Sequence, residues 1–154
     1  MKTQLASLGL ACAVIALVAT AGSSVAAQRP GTVEVYKSPT CGCCALWVKH
    51  LEANGFTTRV TEREDLAPIK TKHGVPAKAG SCHTAIVDGY VVEGHVPAAD
   101  IKRLLKERPA VVGLAVPGMP IGSPGMEFGS TVQPYNVLSF DRSGQVKVYS
   151  TYGK

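Results

Sequence analysis

Residues 38–50 read SPTCGCCALWVKH and place Cys41, Cys43 and Cys44 within four positions, directly ahead of an apolar, helix-like run. Such a trio can hold a disulfide, exchange one, or hold a soft metal ion. A helix beginning at residues 40–42 would aim its unsatisfied N–H groups and positive dipole end at these sulfurs. That favours thiolate, which is both the nucleophile and the metal ligand. Residues three apart share a helix face, whereas neighbours diverge by about 100°. Cys41 and Cys44 can therefore face each other, and Cys43 should diverge.

Read alone, Cys41-Gly42-Cys43-Cys44 satisfies the dithiol motif C-x-x-C. A thiol-disulfide oxidoreductase with Cys41 as nucleophile and Cys44 as resolving thiol is thus the alternative function. A third thiol beside such a pair can attack the disulfide it borders, which hinders exchange but helps soft-metal binding. Two structural disulfides, such as Cys41–Cys44 and Cys43–Cys82, make the plainest reading. Downstream, Ser81-Cys82-His83 supplies a fourth sulfur with an adjacent imidazole, and His95 precedes a helix start. Four sulfurs with imidazole suit Cu(I) or Zn(II). Met119 and Met126, in the loop PGMPIGSPGM, add thioether donors that favour Cu(I) over zinc; silver is the other soft alternative. His50 lies seven residues after Cys43 and could share its side of the helix, and His73 is expected to be exposed.

The elements that must position these residues follow from periodicity. Thr32 to Tyr36 alternates apolar with polar and reads as a strand. Cys44, Trp47, Val48 and Leu51 recur at helical spacing, and Asn54-Gly55 supplies a C-terminal cap. Phe56 to Thr61 alternates again, with Phe56, Thr58 and Val60 on one side. Residues 62–73 are polar, with Pro68 opening or kinking any helix there. His83–Val87 and Tyr90–Val92 flank Asp88-Gly89, the signature of a tight hairpin. Pro97 sits where a first helical residue should, and Ile101, Leu104 and Leu105 form a stripe ending before Pro109. This is the β-α-β-(α)-β-β-α order of a thioredoxin-like α/β core. Beyond it, Pro and Gly fill six of the nine places from Pro117 to Gly125, which marks a loop. Tyr135 to Tyr149 reads as a second hairpin turning near Asp141 to Gly144, an added edge.

The chain opens with Lys2, a nearly uncharged apolar stretch from Leu5 to Ala21, and small residues ending in Val25-Ala26-Ala27, the pattern of a secretory signal peptide. Cleavage after Ala27 leaves residues 28–154, a length suited to one metal-binding domain that keeps four cysteines in the periplasm. Cys12 follows Gly9-Leu10-Ala11 and precedes more apolar chain, a poor match to a lipoprotein anchor. The net charge of +5 is spread without a run and gives no argument for nucleic acid. No membrane attachment is expected once the signal is removed.

Three motifs in this order, SPTCGCCALWVKHLEANGF, SCHTAIVDGYVVEGHVPAADIKRLL and PGMPIGSPGME, resemble a bacterial family long filed as a domain of unknown function. Its best-described members are the periplasmic copper-resistance proteins called CopG, unrelated to the DNA-binding repressors of that name. The resemblance covers roughly residues 32–140. It implies a thioredoxin-like fold whose C-x-C-C motif and later cysteine, here Cys41, Cys43, Cys44 and Cys82, bind copper as a polynuclear Cu(I)-thiolate cluster. His83, His95, Met119 and Met126 are secondary ligand candidates. One departure from true thioredoxins is that they carry a cis-proline just before the third strand, where this chain has Ser81-Cys82. The expected function is copper binding and copper resistance, with copper/thiol redox activity as an extension and other periplasmic copper-handling proteins as partners.

Overall fold

The computed structural model describes residues 31–153, so the signal-peptide reading and Cys12 lie outside the described residues. Strand β1 (Val33–Lys37) buries Val33 and Val35 on one face, as its alternation requires. Helix α1 (Gly42–Ala53) follows. It buries Cys44, Trp47, Val48 and Leu51, and Asn54 closes it, with Gly55 at φ 87°. Strand β2 (Thr58–Glu62) starts two residues later than its alternation suggests. Phe56 is buried in the turn before it, and Val60 is exposed, because β2 is an edge strand and neither of its faces is fully covered. Helix α2 (Ala67–Lys72) opens with Pro68 in its first turn, and His73 caps it half-buried rather than exposed.

Strands β3 (His83–Val87) and β4 (Tyr90–Glu93) pair antiparallel around Asp88-Gly89. Both turn residues have positive φ, as the tight hairpin demands. Pro97 then caps α3 (Ala98–Glu107), one position earlier than the first helical residue. The core order expected from the sequence is thus present, with β1 parallel to β2 and antiparallel to β3.

Strand β5 (Gly113–Ala115) has no counterpart in the sequence reading. It pairs parallel to β4 and antiparallel to β6 (Tyr135–Phe140), which in turn pairs with β7 (Val146–Tyr152). One seven-stranded sheet results, in the order β2-β1-β3-β4-β5-β6-β7, with the C-terminal hairpin as its added edge. The Asp141 carboxylate accepts from the Ser143 and Gln145 N–H groups and so shapes the β6–β7 turn. The main core lies between the sheet and the pair α1 and α3, and joins Trp47, Leu51, Ile101 and Leu104 to Val35, Val92 and Leu114. A smaller cluster of Ala79, Val91, Ala115 and Phe140 lies apart from it. Among the described residues no helix is long and apolar enough to cross a membrane.

Candidate metal centre

Cys41 is the N-cap of α1. Its backbone is extended and its sulfur accepts the Cys44 N–H at 3.3 Å, a role usually taken by a small oxygen-bearing side chain. No acidic residue occupies the first turn, so the positive end of the helix acts on the sulfurs unopposed. Cys41 and Cys44, on one face as the spacing predicts, are joined by a disulfide; Cys43 keeps a free thiol but does not diverge, because Cys41 is the extended N-cap outside the helix and its sulfur comes within 3.5 Å of Cys43 Sγ. The second staple, Cys43–Cys82, is not formed; Cys82 is also free.

Cys82 immediately precedes β3, which runs beside β1, so the chain there passes the start of α1. The sulfurs of Cys41, Cys43, Cys44 and Cys82 all lie within 4.8 Å of one another, and the ligand atoms of Cys82, His83 and His95 form a second such group. Cys82 belongs to both. Cys43 Sγ is 3.5 Å from Cys41 Sγ and 3.9 Å from Met119 Sδ, which brings the first loop methionine to the rim. Met126 stands differently. Its backbone closes turns with Gly122 and Ser123.

The imidazoles are both fully buried. His95 Nδ1 donates to the Pro124 carbonyl at 2.8 Å, which leaves Nε2 facing Cys82 Sγ at 3.0 Å. His83 Nδ1 lies 3.3 Å from the same sulfur, while its Nε2 is buried without a partner. Its ring sits between Trp47 and His95, at centroid distances of 4.3 and 5.1 Å. Burial holds both histidines below their ordinary value, His83 far below it. Burial, and then the neighbouring Cys43, push the Cys82 thiol up to about 11. His50 does something else: its Nε2 accepts the Ala98 N–H at 3.1 Å and so helps cap α3.

Several positioning residues escaped the sequence reading. Glu93 is fully buried at the end of β4, and its carboxylate accepts the Ser81 N–H at 2.7 Å, the Thr84 hydroxyl at 2.7 Å and the Lys70 ammonium. It thereby holds the residue before Cys82, and Lys70 ties the short α2 to the site. A charged residue inside the apolar run from Tyr90 to His95 was the available signal. Gly125, at φ 84°, sits so close to α1 that a Cβ there would lie 2.7 Å from both the Cys43 carbonyl oxygen and the Trp47 nitrogen. That approach brings the Pro/Gly loop, with Pro124 and Met119, against the cysteines.

A buried or half-buried set of four sulfurs with an oriented imidazole could hold a soft metal ion. The family model described as "Protein of unknown function, DUF411" matches residues 79–126. Comparison with curated proteins returns no match. Two solved structures, described as copper resistance protein CopG in form 1 and form 2, both superpose with a TM-score of 0.77. The first is 50% identical, with the match covering 81% of this chain and 99% of that one; for the second the values are 51%, 80% and 99%. The chain therefore belongs to the family of the CopG copper-resistance proteins.

Proposed function

We propose that this chain is a periplasmic protein that captures Cu(I) in a cysteine-thiolate site and contributes to copper resistance, the property for which its two relatives are named. The observation that carries the reading is the reach of Cys82, whose sulfur comes within 4.8 Å of all three at the start of α1. Bridging thiolates let four cysteines hold several Cu(I) ions. His95 serves as a nitrogen ligand, since a backbone carbonyl fixes its tautomer and turns Nε2 to the sulfur, the usual arrangement of a metal-bound histidine. His83 is the weaker ligand, because binding through Nδ1 would leave a buried N–H with no acceptor. Met119, at 3.9 Å from Cys43 Sγ, favours Cu(I) over zinc. Residues 28–154 would form the mature, single-domain protein, delivered by the N-terminal signal to the compartment where copper-handling partners are found.

Copper/thiol redox chemistry extends this reading. Two Cu(I) ions could each give one electron to the Cys41–Cys44 bond, yielding two Cu(II) ions and two thiolates. The closed bond also supports the rival reading, a thiol-disulfide oxidoreductase with Cys41, the more exposed partner, as nucleophile. Against it stands the free Cys43 sulfur 3.5 Å from Cys41 Sγ, where it competes with any substrate thiol.

Titration of reduced protein with Cu(I) under anaerobic conditions separates the two. More than one equivalent should bind, and Cys43→Ser and Cys82→Ser should lose that binding. If both variants bind copper normally and reduce a test disulfide as well as the parent, the copper reading fails.

A further inference from the structure

The Cys41–Cys44 bond removes two of the four sulfurs as thiolate ligands, yet the donors it leaves still form a set. The free sulfurs of Cys43 and Cys82 lie within 4.8 Å of each other. With metal–thiolate bonds of about 2.3 Å, one ion spans two sulfurs up to roughly 4.6 Å apart, so almost no movement is needed to bridge this pair. Each thiol also has its own auxiliary donor. His95 Nε2 lies 3.0 Å from Cys82 Sγ, and Met119 Sδ lies 3.9 Å from Cys43 Sγ. Neither depends on opening the disulfide. Met119 is half exposed, which gives an ion a path from solvent to Cys43.

We propose that the protein with Cys41–Cys44 closed retains a one-ion site for a soft monovalent cation, built on Cys43 and Cys82 with His95 and Met119 as auxiliary donors. The state of the disulfide then sets how many ions the chain holds, not whether it holds any. Opening the bond adds two bridging thiolates and expands the one-ion site into a cluster. This inference rests on the copper-handling reading above and extends it to the oxidised chain.

Silver is the suitable probe, because Ag(I) shares the soft-donor preference of Cu(I) but does not give an electron to the disulfide. Oxidised protein is titrated with Ag(I) and examined by native mass spectrometry, which counts bound ions and reads the two missing thiol hydrogens in the same spectrum. One silver ion per oxidised chain is expected with the bond intact, and more than one per reduced chain. In the oxidised form, Cys43→Ser and Cys82→Ser should each lose the ion. The double variant Cys41→Ala/Cys44→Ala, which keeps only the proposed pair, should bind one ion without any oxidation step. An oxidised chain that binds none, binds several, or keeps its ion in Cys43→Ser overturns this proposal. The copper reading survives that result as long as the reduced chain binds several ions. A reduced chain that binds none overturns both.

Discussion

Replacing Glu93 by alanine tests whether the β3–β4 hairpin holds the fourth sulfur in place. The carboxylate is fully buried and takes the Ser81 N–H and the Thr84 hydroxyl, each at 2.7 Å, together with the Lys70 ammonium. Alanine removes an acceptor from all three, although the Lys70 ammonium keeps the Thr84 hydroxyl oxygen at 3.1 Å. Each buried donor left without an acceptor costs about 1–3 kcal/mol. Lys70 keeps 22% of its side chain exposed and can turn partly to water, so its share is smaller. Glu93→Ala should therefore destabilise the protein by about 3–5 kcal/mol, the range for breaking one half of a buried pair. In Glu93→Gln the amide oxygen can still accept the Ser81 N–H and its NH2 can donate to Thr84. The charge opposite Lys70 and the acceptor of the Thr84 hydroxyl hydrogen are lost, which costs about 1–3 kcal/mol. Urea unfolding measures both, and Cu(I) titration of the folded variants reports the site, where alanine should lower the number of ions bound and glutamine should not. An alanine variant within about 1 kcal/mol of the parent, or one indistinguishable from glutamine, would refute the reasoning.

Gly125→Ala forces a side chain onto backbone atoms of α1 at φ 84°; it should cost about 2–4 kcal/mol in thermal or urea unfolding and weaken Cu(I) binding by lifting the loop away from Cys43. All four histidines, His50, His73, His83 and His95, lie below their ordinary value, with burial the largest cause in each. The unfolded chain takes up protons near pH 6.5 while the folded one resists, so metal-free stability should be full above about pH 6.5 and fall as pH drops below it, as urea midpoints across that range will show. Asp100→Ala removes the acceptor of Ser150, Tyr152 and Arg103 that docks the C-terminal hairpin on α3; it should lower stability by about 2–4 kcal/mol while Cu(I) stoichiometry stays unchanged.

The sequence made the cysteine geometry legible because helical spacing is local. Three positions separate Cys41 from Cys44, but the same spacing misplaces Cys43, whose sulfur lies 3.5 Å from Cys41 Sγ because Cys41 is an extended N-cap and not a helical residue. The β3–β4 hairpin was equally local, since Asp88-Gly89 carries its own turn geometry. Strand β5 was hidden for the opposite reason. Three residues between two prolines are too few to show a period, and Gly113 belongs there because a Cβ would press on the Val91 backbone. Glu93 and Lys70 were hidden because their partnership crosses 23 positions and two elements. Met119 and Met126 occupy matching Pro-Gly-Met tripeptides, and only the path of the loop distinguishes the one beside Cys43 from the one whose backbone closes a turn.

The state of Cys82 bears on which chemistry the site serves. Its thiol is pushed up to about 11 by burial and by Cys43, while burial holds His95 below its ordinary value. The 3.0 Å contact between them is thus a protonated thiol against a neutral imidazole, not a thiolate beside an imidazolium. A nucleophilic cysteine needs the second arrangement, in which thiolate is already present at neutral pH. The first suits a ligand. A soft cation can displace the thiol proton and gain both the sulfur and a nitrogen whose lone pair already points inward. Attack on a disulfide would then fall to Cys41 at the helix start, with Cys82 left to bind.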